Sequence, residues 1–204
     1  MQVKQAKSQF VAVASIAAEL SAVMEVAKEI SLAAANAKAI AFRAGEKAKG
    51  FQPITDFINE LAKDTIALVN NINEYAFLLY RLTVNEQRMT EACRRFEQVA
   101  QLAKGAQYAD SLTIPLQEVR QKTQVCQREF VAHVSELLIK LADVMHPARA
   151  ARVIAANSRI EASQAGEYLQ SLQAVAESVD NAAQIINDKV HKCRSALTVI
   201  NIGE

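Results

Sequence analysis

Residues 54–103 contain the longest regular pattern in the chain and read ITDFINELAKDTIALVNNINEYAFLLYRLTVNEQRMTEACRRFEQVAQLA. Apolar residues such as Ile58 and Leu61 recur at alternating separations of three and four positions. This spacing puts them on one side of an α-helix, as at the a and d positions of a coiled coil or a long bundle helix. Only Thr65 and Glu86 interrupt the apolar series. At 1.5 Å per residue, the pattern predicts a rod about 75 Å long.

Three other segments show the same spacing. In the first, the predicted seam consists of Phe10, Val13, Ala17, Leu20, Met24, Ala27, Ser31 and Ala34. The third segment starts near Pro115 and the fourth near Leu172. Pro147 lies inside the third segment, where its missing amide hydrogen predicts a kink or a restart of the helix. Four long helices are therefore expected.

The residues that break helices fall between these segments. Gly45 and Gly50 flank the first predicted turn, residues 105–115 form the only real loop, and Gly166 marks the third turn at 166–171. Short connections fold successive helices back on each other. The chain is therefore predicted to be all-α, a long antiparallel four-helix coiled-coil bundle built from two helical hairpins. Residues 1–204 form one unit, with hairpin one at about 1–104 and hairpin two at about 116–202.

The composition supports long helices and excludes several other classes. The chain has 204 residues, with 37 alanines, five glycines, three prolines and no tryptophan, which is too few turn residues for a sandwich or barrel. Its 23 basic and 22 acidic residues give no basic excess of the kind that nucleic-acid binding requires. Hydrophobic residues at 51% exclude a disordered chain.

Two further features bear on where the protein resides. Cys93, Cys126 and Cys193 lack metal-site spacing, so they predict reduced thiols in a cytoplasmic protein. Residues 10–18 follow two lysines in the manner of a weak signal peptide, but Glu19 and Glu25 interrupt the stretch. The chain has no run of 18 uncharged apolar residues, so no transmembrane segment is predicted.

Two stretches 121 residues apart are related. Residues 34–46 read AANAKAIAFRAGE and residues 155–167 read AANSRIEASQAGE. Both AAN and AGE stay in phase, and alanine content alone does not account for the shared asparagine, glycine and glutamate. The two hairpins are therefore expected to be repeats of one unit.

The first stretch and its continuation, NAKAIAFRAGEKAKGFQPITDFINELA, resemble the hairpin tip of the bacterial chemoreceptor (methyl-accepting chemotaxis protein) signalling domain. The clear match covers about 30 residues, and the second copy extends it more weakly. The matching residues are Asn36, Arg43, Ala44, Gly45, Glu46, Gly50, Phe51, Asp56, Leu61 and Ala62. Glycines at Gly45 and Gly50 are expected to permit backbone angles that strain other residues.

The resemblance implies a non-enzymatic tip that binds a histidine kinase, its coupling protein and neighbouring receptors. It implies receptor contacts for Asn36 and Arg43, a hairpin and coupling role for Glu46, and an apolar coupling contact for Leu32. In the second copy, the corresponding protein-binding residues are Asn157, Glu161 and Glu167.

The chain also departs from the family pattern. Ile40 replaces a glutamate that Glu161 restores in the second copy, whereas Gln164 replaces the arginine there. Lys28 replaces a phenylalanine used between receptors, and Pro53 enters the descending arm. Receptors are dimers of one hairpin each, so a chain with two hairpins is expected to act as a monomer that mimics the dimer, with higher oligomers left open. Both turns should then lie at one end.

Other patterns favour simpler interpretations. Asp143 with His146 and Asp188 with His191 imitate a di-iron motif, but the further inward carboxylates are missing, so neither a metal nor another cofactor is predicted. Met145 beside His146 lacks a haem attachment motif. No nucleophile constellation or phosphate loop is visible, so the chain is predicted not to be an enzyme.

Residues 83–90, TVNEQRMT, loosely fit a receptor methylation site at Glu86 and Gln87, although Glu86 falls on the seam. Three functions remain. The leading one is a chemoreceptor-like signalling module that docks its tip on partner proteins. The alternative is a structural or regulatory bundle derived from a receptor that no longer binds the kinase, and a ligand- or metal-binding bundle comes third.

Overall fold

The computed structural model describes the backbone of residues 2–201 and the side chains of residues 10–198. Residues 1 and 202, the predicted outer limits of the hairpins, lie outside this range. Within it the protein is all-α, with α1 (Gln2–Ala44), α2 (Phe51–Leu102), α3 (Thr113–Asp143), α4 (Met145–Ala162) and α5 (Leu169–Asn201). Short 3-10 turns occupy Gly45–Ala48, Ala109–Leu112 and Gly166–Tyr168. The helices form four long rods packed together, because α3 and α4 follow each other as one broken rod.

Helices α1 and α2 run in opposite directions. The Lys38 Nζ of α1 lies 2.6 Å from the Asp56 Oδ1 of α2, and farther from the turn the Phe10 and Tyr80 rings are 5.6 Å apart between centroids. Helix α1 packs against α2 and α5, and the broken rod α3–α4 also packs against α2 and α5. Each rod therefore has two neighbours around a shared core.

The core consists of the apolar stripes of these rods. On α2 every second position of the predicted seam is buried, including Ile58, Ile72 and Leu79. The positions between them, such as Leu61 and Leu68, are only half-buried, and Ala62 and Val69 are buried instead.

On α1 the prediction was half wrong, since Ala17 is exposed and Met24 and Ser31 are only half-buried. The buried stripe of α1 runs instead through Val13, Ile16, Leu20, Val23, Ala27, Ile30 and Ala34. Large residues such as Ile16 and Val23 lie at the centre of the buried face, because α1 contacts α2 on one side of that face and α5 on the other.

Pro147 breaks the third rod, as predicted. Helix α3 ends at Asp143 and α4 begins at Met145, with Val144 between them in a helical conformation. A residue at position 147 would donate its amide to the carbonyl of Asp143, and proline has no such donor. Pro53 and Pro115 likewise occupy the third residue of α2 and of α3, where the amide has no partner within the helix.

The glycines of the two turns have different structural roles. Gly45 has φ +59° and Gly166 has φ +57°, a left-handed conformation that side chains with a Cβ adopt at a cost. The expectation for Gly50 was wrong, since its φ of −67° is ordinary for a helix. Gly50 instead leaves space, because a Cβ there would overlap the Glu161 carboxylate from the second hairpin.

The burial pattern agrees with the predicted repeat well beyond the short stretches that suggest it in the sequence. Buried positions of the first hairpin recur 121 residues later in the second, from Val13 with Val134 to Ala76 with Leu197. Other such pairs are Ile16 with Leu137, Leu20 with Leu141, Val23 with Val144, Ala27 with Ala148, Phe51 with Leu172, Ile58 with Val179 and Val69 with Val190. The two hairpins therefore present equivalent faces to a common core.

Far from the turns, the packing changes. In residues 84–125, which end α2, form the loop and begin α3, none of the residues is buried. The seam residues Met89, Cys93 and Phe96 are only half-buried there. Thr83 and Cys126 are the last buried residues before this region on α2 and α3. We call residues 84–125 the two-helix end, because α2 and α3 both continue through it and none of its residues is buried.

Candidate protein-binding tip

The turns of the two hairpins lie side by side. The Nζ of Lys47 in the first turn is 3.8 Å from Oε1 of Glu167 in the second. Gly50 adjoins the Glu161 carboxylate, and Gly166 adjoins the aliphatic part of Lys47. The expectation that both turns lie at one end of the rods is therefore met, and residues 45–50 and 163–168 form one composite end surface, which we call the tip.

Three of the predicted contact residues share one outward stripe of α1. Leu32, Asn36 and Arg43 are separated by four and seven positions, so they follow one side of the helix, and all three are exposed. Leu32 keeps 67% of its surface accessible. An apolar side chain, an amide and a guanidinium are thus presented together along about 16 Å of helix.

Glu46 lies at the end of this stripe, in the first turn. Its carboxylate is exposed and accepts a hydrogen bond from the Nζ of Lys49 at 3.3 Å. Ion pairs between exposed side chains contribute less than about 1 kcal/mol, so this pair does not lock the carboxylate. The group stays accessible to a cation on a partner.

The second hairpin presents a smaller part of the predicted set. Asn157 and Glu167 are exposed, as their counterparts Asn36 and Glu46 are. Glu161 is half-buried and points across the hairpin boundary at Gly50. The structure therefore separates Glu161 from the outward groups and places it between the two hairpins.

Ion pairs join the two arms of each hairpin just behind the tip. In the second hairpin, Asp180 Oδ2 lies 2.8 Å from Arg159 Nη2, and its other oxygen lies 3.4 Å from Arg152 Nε. The hydrogen bond from Arg159 holds the pKa of the Asp180 carboxyl below its usual value. The position equivalent to Asp180 is Asn59, which accepts a hydrogen bond from Ser31 at 2.9 Å through its Oδ1. The bridge at this position is thus charged in the second hairpin and neutral in the first, where Lys38 pairs with Asp56 instead.

Two exposed aromatic residues near the tip were missed from the sequence. Phe42 is 80% exposed beside the Arg43 position, and Phe57 is 55% exposed on α2. Phe42 lies outside the three-four spacing of the buried stripe, and this position is the sequence signal that could have identified it as exposed. An aromatic side chain on a solvent face is the kind of residue that interfaces bury.

The weak methylation site remains a prediction. Gln87 is exposed and Glu86 is half-buried. Burial raises the pKa of the Cys126 thiol, and the nearby Glu86 charge adds to that effect. Glu86 therefore lies against α3, at the junction with the two-helix end, and only Gln87 faces solvent fully.

The other candidate chemical groups are dispersed. Asp143, His146, Asp188 and His191 are all exposed, and among the described residues no three His, Cys, Asp or Glu side chains come together as a metal site requires. The three cysteines are free thiols. Burial raises the pKa of Cys193 to about 12, with a further contribution from Glu19, so this thiol is a poor nucleophile.

The first helix has an ambiguous composition. An 18-residue window within Phe10–Ala48 has a mean hydropathy of 1.8 and at most two charged residues, which suffices by length and composition for a membrane span. One third of that window is buried inside the protein. Core helices of soluble proteins and N-terminal signal sequences have the same composition, so the property does not by itself place this helix. The absence of a transmembrane segment stays a prediction.

Searches against family models, curated proteins and solved structures found no match to this chain.

Proposed function

We propose that the protein is a non-enzymatic, chemoreceptor-like signalling module that docks its tip on a chemotaxis histidine kinase, its coupling protein or other receptors. The observation that carries the proposal is the exposed stripe of Leu32, Asn36 and Arg43, which leads into the exposed Glu46 at the turn. Charged, polar and apolar groups at one rigid end suit recognition of another protein surface. The resemblance of residues 36–62 to the receptor tip gives that surface its proposed partners.

The proposed architecture is a long antiparallel four-helix coiled coil made of two hairpins, in which one chain stands in for a receptor dimer. The contact between Lys47 and Glu167 supports it, because the tips of a receptor dimer would also meet at one end. The recurrence of buried positions 121 residues apart supports it further. The proposed location is the cytoplasm, where such kinases act.

Signal transmission is proposed to occur through small shifts in helix packing. Near the tip, the buried side chains of α1 are all alanine, at Ala34, Ala37, Ala41 and Ala44. The end of α4 and the turn after it are similar, with buried Ala155, Ser158, Ala162 and Ala165. Small side chains leave shallow ridges, so neighbouring helices slide past each other at less steric cost than leucine-rich faces do. A partner that prefers one arrangement would shift the population toward it.

Equilibrium binding to a purified kinase and coupling protein tests the proposal. Arg43→Ala and Glu46→Ala should each weaken binding at least about tenfold, which corresponds to about 1.4 kcal/mol. Arg81→Ala is the matched control, since Arg81 is an exposed arginine on α2 far from the turns. Circular dichroism should show unchanged helical content in all three variants. Equal loss of binding in Arg81→Ala, or no effect of Arg43→Ala, would contradict a role for the stripe that leads into the tip.

The second candidate is a structural or regulatory bundle that descends from a receptor and no longer binds the kinase. The position of Glu161 favours it, because the glutamate that the receptor pattern offers outward is turned toward Gly50 here. Gln164 also replaces the arginine of that copy. Complete absence of kinase and coupling-protein binding by the folded wild-type chain would select this candidate.

A further inference from the structure

A small cavity lies in the groove between α4 and α5, beside the break in the third rod. It encloses about 170 Å³ and is lined by Met145, Ala148, Arg149, Arg152, Ala183, Asn187 and His191. Met145, Ala148 and Ala183 are buried and form its floor, whereas two guanidinium groups, an amide and an imidazole surround its opening. An apolar floor with a few polar groups around it is the usual form of a small-molecule site. We call this site the arginine cavity.

The arginine cavity belongs to two facing rows of side chains. The row on α4 consists of Met145, Arg149, Arg152, Ala156 and Arg159, and the row on α5 consists of Asp180, Gln184, Asn187, His191 and Arg194. Separations of three and four residues alternate in both rows, so each row follows one side of its helix. Asp188 lies outside the α5 row and accepts a hydrogen bond from Gln184. Four arginines therefore face one aspartate, and the groove is positively charged.

The two arginines of the cavity have free hydrogen-bond donors. Arg149 forms no ion pair with any residue in the described part of the chain. Arg152 approaches Asp180 through its Nε, at 3.4 Å, while Arg159 donates to the other Asp180 oxygen at 2.8 Å. The Nη groups of Arg152 and the whole guanidinium of Arg149 are therefore available to another acceptor.

The first hairpin contains an equivalent groove with a different set of polar groups. The positions that correspond to the four polar residues of the cavity hold Lys28, Ser31, Ile66 and Asn70. Lys28 is paired with Glu25 at 2.9 Å. The position equivalent to Glu25 holds His146 in the second hairpin, so no acid is present there to neutralise Arg149. The excess of positive charge is therefore specific to the groove of the second hairpin.

We propose that the arginine cavity binds the phosphate group of a small soluble phosphate monoester. Arg149 and Arg152 present planar guanidinium forks, which pair with phosphate oxygens through two parallel hydrogen bonds. Asn187 and His191 each add an N–H donor from α5, on the opposite side of the cavity. A phosphate monoester carries close to two negative charges at pH 7, which matches the two guanidinium charges.

The size and position of the cavity restrict the ligand further. Its volume of about 170 Å³ is below the roughly 300–1,000 Å³ of pockets for drug-sized molecules, so a phosphate group with a short substituent fits best. Arg149 and His191 are exposed at the opening, so the ligand can enter from solvent. The cavity lies about 20 Å behind the tip, so a test of this site does not depend on whether the tip binds a kinase.

Calorimetric titration of β-glycerophosphate into the full chain tests the inference. The ionic strength is kept constant, because salt screens a general attraction to positive charge. We expect a dissociation constant below about 1 mM and at least a tenfold loss of affinity in Arg149→Gln and in Arg152→Gln. Lys28→Gln, the equivalent change in the first hairpin, should leave the affinity unchanged, and circular dichroism should show intact helices in all variants. No binding by the wild-type chain, or an equal loss in Lys28→Gln, overturns the proposal.

An effect of the opposite sign is expected from Asp180→Asn. This change removes the carboxylate that competes for Arg152, so the affinity for β-glycerophosphate should rise. Heteronuclear NMR locates the ligand, because the side-chain amide of Asn187 should shift on titration while that of Asn70 in the first hairpin should not. A weaker affinity in Asp180→Asn, or equal shifts at both asparagines, contradicts the proposed site.

Lipid headgroups offer the same phosphate chemistry, so a vesicle experiment distinguishes the two sources. Vesicles containing phosphatidic acid are mixed with the full chain and separated by flotation. We expect the chain to bind free β-glycerophosphate and to remain behind when the vesicles float. Flotation of the chain without binding of the free ester overturns the proposal of a soluble ligand.

Discussion

The two hairpins of this protein share the positions of their buried residues and differ in their polar groups. Leu20 and Leu141 occupy equivalent core positions, as do Ile58 and Val179. Beside the tip, Arg43 corresponds to Gln164 and Ile40 to Glu161. The comparison teaches that packing around a common core restricts the buried positions of both copies equally. The outward groups are not restricted in this way, and the first hairpin presents more of the proposed binding surface.

The largest effect is expected from shortening equivalent core residues. Leu20→Ala and Leu141→Ala each leave a cavity where the side chain was fully buried, so each should destabilise the fold by about 2–5 kcal/mol. Chemical denaturation should give two values within about 1 kcal/mol of each other, since the sites are equivalent. A large loss at one position and none at the other would show that the hairpins do not share the core as described.

A smaller effect is expected at the equivalent turn glycines. Gly45→Ala and Gly166→Ala place a Cβ at φ +59° and +57°, which should cost about 1–2 kcal/mol each. Gly50→Ala is the control, because φ is −67° there and the obstacle is the Glu161 carboxylate. Any loss in Gly50→Ala should disappear in the background of Glu161→Ala, whereas the losses at Gly45 and Gly166 should persist. Thermal unfolding midpoints measure all of these.

The smallest effect is expected where the bridge between hairpin arms is charged in one copy only. The pKa of Asp180 is lowered in the folded protein, chiefly by its hydrogen bond with Arg159. Asp180 therefore stabilises the fold at pH values above the ordinary pKa of aspartate, which is near 4. This stabilisation is lost as the pH falls through the lower pKa of the folded state. Asp180→Asn should cost less than about 1 kcal/mol at pH 7, because both partners are partly exposed. Asn59→Ala should show no such pH dependence. Urea unfolding midpoints at pH 7 and at acidic pH measure the loss of stability in each variant. An equal loss from Asp180→Asn at both pH values would contradict the prediction.

Much of this architecture follows from the sequence, for identifiable reasons. The three-four spacing around Ile58 and Leu79 predicted the rods, and the missing amide of Pro147 predicted the break after Asp143. The seam of α1 was misplaced at Ala17, because in an alanine-rich helix the spacing alone does not distinguish the centre of the buried stripe from its edge. The role of Gly50 was wrongly predicted, because the side chain that requires the space beside it, Glu161, belongs to the other hairpin.

The two-helix end could not be predicted from spacing. Met89, Cys93 and Phe96 continue the seam of α2 without a change of pattern, yet no residue of α2 after Thr83 is fully buried. The pattern in one helix records which side is apolar and carries no information about how many neighbouring helices cover it. The exposed stripe at the tip was predicted from the receptor resemblance, whereas Phe42 and the inward position of Glu161 depend on the packing of both hairpins.

The central claim is that two related hairpins bring their turns together at one end of the bundle. The distance between spin labels at Lys47→Cys and Glu167→Cys, in a chain whose native cysteines are replaced by serine or alanine, tests it most directly. Lys47 Nζ and Glu167 Oε1 are 3.8 Å apart, so the account predicts a single short distance distribution, with labels no more than about 20 Å apart once the label arms are included. Rods of this length are about 75 Å long. A distance distribution centred above about 50 Å would place the turns at opposite ends and contradict the account.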